Sequence, residues 1–264
     1  MSEFHHRTTE LPLTPLTDLA ARTLADLLLP ERAIDDATRD GILLRAEGNP
    51  LYLRELLTSV VEESGQDRSR SWSVSIRHLL PSSLESLFVA RIDRLPPEAR
   101  RLVQVAAVIG REFPVKILQR AAPSEGFDDE LATLLRADLI REVRRYPQLE
   151  CTFRHGLIQE AALSTLTPGR LREIHGRVGA AFEEFFAGSP HDHLELLAYH
   201  YYRSDDQSRA MAYLEQAAER AAGLGAAPQA GELLRRAKKV ADRLGDVQSA
   251  RRIGERQARL EVAP

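Results

Sequence analysis

Residues 139–166 read LIREVRRYPQLECTFRHGLIQEAALSTL. Leu149, Cys151 and Phe153 alternate with Glu150, Thr152 and Arg154, the period of two that sends successive side chains to opposite faces of a strand. Residues 139–145 also read as extended, and Tyr146, Pro147 and Gln148 lie between the two runs, so the stretch predicts a β-hairpin. A helix over residues 157–166 follows it. Upstream, Leu102, Val105, Ala106 and Ile109 stripe a helix that opens at the Pro96, Pro97 break and ends at Gly110. A short helix is expected around residues 115–121, and Leu131, Leu134 and Leu135 stripe a third over residues 128–138. Three closely spaced helices followed by a hairpin is the winged-helix order.

Toward the N-terminus, Leu16, Leu19, Ala20, Leu24, Leu27 and Leu28 recur at three- to four-residue spacing and predict an amphipathic helix over residues 14–29, ended by Pro30. Asp35 or Asp36 caps a second helix, striped by Ile42, Leu43 and Ala46 and stopped at Gly48. Asn49 as cap and Pro50 in the first turn open a third, with Leu53, Leu56, Leu57, Val60 and Val61 on its apolar side. Residues 65–73, GQDRSRSWS, read as a linker or exposed loop. From Pro81 the pattern restarts, with Leu84, Leu87, Phe88, Ile92 and Leu95 on one face.

Toward the C-terminus, Thr167 and Pro168 open a long helix striped by Leu171, Ile174, Val178, Ala181, Phe182 and Phe185. The remainder reads as helical hairpins carrying Leu194, Leu197 and Tyr201, then Ala210, Leu214, Ala217 and Ala221, then Ala230, Leu234, Ala237 and Ala241. Small residues at such spacing let helices approach closely, as in tetratricopeptide-like stacks. The expected fold is therefore mainly α: a helical bundle over residues 1–80, a winged-helix domain with a small β-hairpin over 81–166, and a helical solenoid over 167–264.

Composition bounds the function. With 36 basic and 39 acidic residues in 264, the net charge of −3 denies the chain the broad positive field of non-specific nucleic-acid binding. The single cysteine, Cys151, permits no intrachain disulfide, and no Cys/His cluster supports a structural zinc. No apolar run approaches the ~18 residues of a membrane span, and the polar start MSEFHHRTTE lacks the apolar stretch of a secretory signal. A soluble cytoplasmic protein is expected. There is no GxxxxGK[ST] loop to cradle phosphates, no HExxH to hold zinc and no GxSxG to present a nucleophile, so no catalytic residue and no metal site is expected.

Three segments together carry a resemblance: AEGNPLYLRELL at 46–57, LPSSLESLFVARIDRLPPEARRLVQVAAVIG at 80–110 and FRHGLIQEAALSTL at 153–166. With the order of bundle, winged helix and repeats, the chain resembles the rear part of a STAND-type ATPase. The likeness is to the large bacterial members linked to adenylate cyclase, protein kinase or LuxR-type output domains. In that family a P-loop domain with Walker A and Walker B precedes this region, so the chain resembles a member without its catalytic front. The resemblance implies a lid in the N-terminal bundle, a regulatory and interacting role without turnover, and a P-loop NTPase domain acting in cis or in trans. It also implies a protein partner on the repeats and ATP or ADP as the cofactor of the intact parent, with none held by this chain alone.

Gly48, Asn49 and Pro50 resemble the GxP element of these proteins, which implies that Pro50 packs against adenine. A glycine stop, an asparagine cap and a first-turn proline also explain the three residues without any ligand. FRHGLIQ resembles the MHD motif of the related NB-ARC switches, implying that His155 contacts the β-phosphate of ADP. Its bland alternative is a histidine that caps or packs at the wing. Arg136, Arg141, Arg144 and Arg145 lie where a winged helix would touch DNA phosphates, with Asp138 and Glu142 interrupting them. Such a mixture is also the pattern of a solvated face. A DNA-binding regulator and a pure helical scaffold are the alternative functions. His193 and His200, one heptad apart, lack a third ligand for a metal, and Arg235, Arg236, Lys238 and Lys239 read as a wet helix face.

Overall fold

A computed structural model describes residues 12–29, 34–66 and 83–262. Among them the chain is mainly helical, with one small antiparallel sheet. Two compact units emerge, residues 1–91 and 92–264.

In the first unit, α1 (Asp18–Leu28) starts where the Thr17 hydroxyl accepts from the amide of Ala20 at 3.3 Å, four residues later than the apolar spacing predicts. The predicted stripe is overturned as well. Ala21 and Ala25 are buried, whereas Leu19 and Leu27 are 77% and 78% exposed. The small alanine face packs toward α2 (Asp36–Ala46) and α3 (Pro50–Gln66); Leu19 and Leu27 point outward, and Leu16 and Leu24 are half-buried. α2 is capped by Asp35, whose carboxylate accepts from Thr38 at 2.7 Å and is held below the usual range by that backbone bond. Ile42 and Ala46 of α2 and Leu53, Leu56, Leu57 and Val60 of α3 are buried as expected. α4 (Leu84–Asp93) begins in this unit and runs across its boundary, with Leu87 and Phe88 buried. Pro30, Pro81 and residues 67–73 of the expected linker lie outside the described residues.

The second unit is built on α5 (Pro97–Ile109), which is buried on nearly all sides because Ala99, Val103, Ala107 and Val108 join the predicted stripe inside. β1 (Glu112–Pro114), α6 (Val115–Ala121) and α7 (Phe127–Arg136) follow, then β2 (Ile140–Arg144) and β3 (Glu150–Phe153). The hairpin forms where the period of two predicts it, and β1 adds a third strand in the order β1-β3-β2. With strands on both sides, β3 buries Cys151, Thr152 and Phe153, and the Thr152 hydroxyl donates to the carbonyl of Arg111 at 3.0 Å. Burial and the nearby Glu142 push the Cys151 thiol up to about 11, leaving it an inert core group.

α8 (Gly156–Ser164) returns across α5, where the Gln159 amide donates to the carbonyl of Ala107 at 2.9 Å. Thr167 and Pro168 then open α9 (Pro168–Phe185), which packs against both α6 and α5 and ties the winged helix to the repeats. α10 (Leu194–Tyr202), α11 (Gln207–Gly223), α12 (Ala227–Leu244) and α13 (Val247–Val262) stack in sequence, each on the one before. Alanines line these contacts: Ala210, Ala217, Ala218, Ala221, Ala230, Ala237 and Ala241 are all buried. At Gly179 of α9 the Tyr201 ring approaches so closely that a Cβ would lie 3.2 Å from it.

Candidate functional site

The corner between α2 and α3 is built by two consecutive left-handed residues, Glu47 at φ 48° and Gly48 at φ 73°. The Asn49 side chain then accepts from the amides of Leu51 at 3.0 Å and Tyr52 at 3.1 Å, and Pro50 occupies the first helical position. The helix-capping explanation of GNP is thus fully realised. A second feature goes beyond capping. The ring of Pro15 and the backbone of Leu16 lie directly on Gly48, whose carbonyl accepts from the Leu16 amide at 2.8 Å. This leaves a cleft of about 540 Å³ bordered by Leu13, Pro15, Arg45, Gly48, Asn49 and Pro50. Its size falls within the range of small-molecule sites, roughly 300–1,000 Å³. Pro50, Pro15 and Leu13 offer apolar surface to a flat ring, and Arg45 and Glu47 offer polar groups beside it.

His155 sits between β3 and α8 as the N-cap residue, half-buried, with φ −137°. Its carbonyl accepts from Ile158 at 3.1 Å, but its imidazole does not cap the helix. At Gly156 a Cβ would meet nothing within 4 Å, so there is open space at the start of α8, where the first amides have no intrahelical partner. Gly48, Asn49 and Pro50 are therefore brought together in the first unit, while His155 occupies its own helix start in the second.

The four wing arginines lie where the sequence puts them, on α7, β2 and the turn after it, but carboxylates accompany two of them. Arg145 meets Glu142 at 2.6 Å, the contact that raises its pKa, and Arg144 lies 3.6 Å from Glu150. Arg136 bonds to Thr133 at 3.1 Å, and neighbouring Arg154 lies 3.4 Å from Asp138. Arg141 is exposed on the edge strand β2.

Three polar clusters, two of them buried, escaped sequence reasoning because each joins distant positions. Glu55 of α3 is buried and accepts from the guanidinium of Arg91 on α4 and from Arg54 at 2.7 Å. His175 of α9 and His200 of α10 face each other, Nδ1 to Nδ1, at 3.1 Å. Burial foremost, with the charge of Arg203, holds His175 down to about 4; burial, His175 and Arg203 hold His200 down to about 3. His200 thus turns to His175, and His193 instead stacks on Phe186. The Glu183 carboxylate accepts from the hydroxyls of Tyr201 at 2.5 Å and Tyr213 at 2.6 Å. Burial pushes that carboxyl up, yet the two hydroxyls and the charge of Arg209 together hold it below the usual range. Among the described residues no group of three or more metal-ligating side chains converges, and no helix is long and apolar enough to cross a membrane.

No protein-family model matches this chain, and no curated protein matches it.

Proposed function

We propose that this chain is the regulatory and interacting part of a nucleotide-gated switch of the STAND type, with no turnover of its own. The observation that carries the reading is the cleft of about 540 Å³ at the α2–α3 corner, where Leu13, Pro15 and Pro50 offer apolar surface beside the polar groups of Arg45 and Glu47. His155 beside the open start of α8 supports a second, phosphate-directed contact. The outward leucines of α1 support the docking of another body on the first unit. Leu19 and Leu27, eight residues apart, fall on one side of the helix, and Leu44 of α2 is also 81% exposed.

Magnitudes set what the chain does alone. A hydrogen bond to a charged group contributes about 1.5–3 kcal/mol, and about −4 kcal/mol corresponds to millimolar binding. Neither the corner nor His155 holds a nucleotide by itself; a P-loop NTPase domain, in cis or in trans, supplies the principal grip. In that assembly ADP favours the state in which His155 reaches its phosphate, and exchange to ATP releases that preference. The repeats receive a protein partner.

The test is ADP release from the assembly with such a domain. His155→Ala and Pro50→Ala each accelerate release; unchanged release in both variants overturns the reading.

A further inference from the structure

Tyr199, Tyr202 and Arg203, at spacing i, i+3, i+4, share one side of α10, and Arg236, Lys239 and Arg243, at i, i+3, i+7, share one side of α12. The two sides meet at Tyr202, where the guanidiniums of Arg236 and Arg243 each lie 5.9 Å from the ring centroid. Beside it, the guanidinium of Arg203 lies 4.5 Å from the centroid of Tyr199. Arg203, Lys239 and Arg243 are exposed and have no carboxylate partner among the described residues. Arg236 shares Glu232 with Arg235. The surface is therefore a cluster of cations, most of them unneutralised, with the three arginines beside aromatic rings.

A guanidinium held over a ring, as Arg203 is over Tyr199, has given up part of its freedom and keeps N–H donors for a carboxylate, which it then binds at less further entropic cost. Arg203 also occupies a face of Tyr199 that a single-stranded nucleic acid would need for a base. A chain of net charge −3 also lacks the extended field that draws a polyphosphate backbone. An acidic peptide needs only local cations.

We propose that the α10–α12 surface binds an acidic segment of a partner protein, its carboxylates on Arg203, Lys239 and Arg243. This rests on the reading of the repeats as the partner-receiving part and requires no nucleotide. Glu232 competes with the ligand for Arg236.

The probe is a fluorescein-labelled oligoglutamate peptide titrated with the full chain at low salt, alongside an oligoglutamine peptide of equal length and an oligothymidylate. Oligoglutamate binds best, and added salt weakens it. Arg203→Gln with Arg243→Gln lowers its affinity by about tenfold or more, in line with the loss of charge-assisted contacts. Glu232→Gln raises affinity, an effect that misfolding cannot imitate. Equal binding of oligoglutamine, tighter binding of oligothymidylate, or an affinity unmoved by both the arginine pair and Glu232→Gln overturns the proposal. Loss of peptide binding with ADP retention intact condemns this surface alone; peptide binding without nucleotide coupling condemns the switch alone.

Discussion

The amide of Leu16 donates to the carbonyl of Gly48 at 2.8 Å, and a Cβ added to Gly48 would lie 2.7 Å from the carbonyl oxygen of Leu16. Position 48 therefore needs glycine twice over, for its left-handed backbone and for the chain that rests on it. Replacing it by alanine costs about 1 kcal/mol or more for the backbone conformation alone, and the obstructing atoms, the main chain of Leu16 and the ring of Pro15, cannot swing aside. Gly48→Ala is expected to speed amide exchange in α1, α2 and α3 and to leave α5–α13 protected. Unchanged protection in the first three helices would contradict the packing described at this corner.

Glu55 joins Arg91 of α4 and Arg54 of its own helix in a buried cluster, and removing its carboxylate breaks both contacts at once. Glu55→Ala is expected to destabilise the chain by about 3 kcal/mol, the low end of what broken buried pairs cost. Glu55→Leu combined with Arg91→Met, which removes both charges, recovers most of that loss. Chemical denaturation measures both; a double variant no more stable than Glu55→Ala contradicts the assignment.

Much of this architecture is visible in the sequence because it is local. The alternation of Leu149, Cys151 and Phe153 marks β3, and Thr167 with Pro168 marks the start of α9. Strand β1 is hidden because it is three residues long and ends in a proline that has no amide to donate. The face of α1 is misread because hydrophobicity favours leucine, whereas close helix packing selects Ala21 and Ala25. Of the candidate site, the corner at residues 48–50 is legible as a glycine stop, a cap and a proline. The segment that covers it is not, since residues 13–16 reach it only through the fold. Glu55 with Arg91 and His175 with His200 are set 36 and 25 residues apart, separations that no local spacing rule relates.

His175 and His200 are neutral in the folded chain, held at about 4 and about 3, against about 6.5 in an unfolded one. Below pH 6.5 the unfolded state binds protons that the folded state refuses, so stability is full above that pH and falls as pH drops toward 4 and 3. Each histidine contributes a slope of up to about 1.4 kcal/mol per pH unit across its window. Unfolding free energies measured from pH 7 to pH 5, above most carboxylate titration, are expected to decline more steeply for the natural chain than for His200→Phe. Parallel curves would contradict a buried neutral pair.

The wing predicts a negative result. With Arg145 on Glu142 and Arg144 near Glu150, a gel shift at moderate salt is expected to show no duplex DNA complex, for the natural chain and for Arg144→Ala with Arg145→Ala alike. A complex abolished by the double substitution would move the wing from a packing element to a reader of DNA.

The central claim, that the α2–α3 corner is a nucleotide contact whose main grip lies in another domain, is tested most directly by an ADP titration of the isotopically labelled chain followed by amide NMR shifts. The account predicts shifts at Gly48, Leu51 and Tyr52 that grow without saturating below the millimolar range, about where a weak contact without the principal grip leaves the affinity. Saturation at micromolar ADP, or shifts that leave this corner untouched, would contradict it.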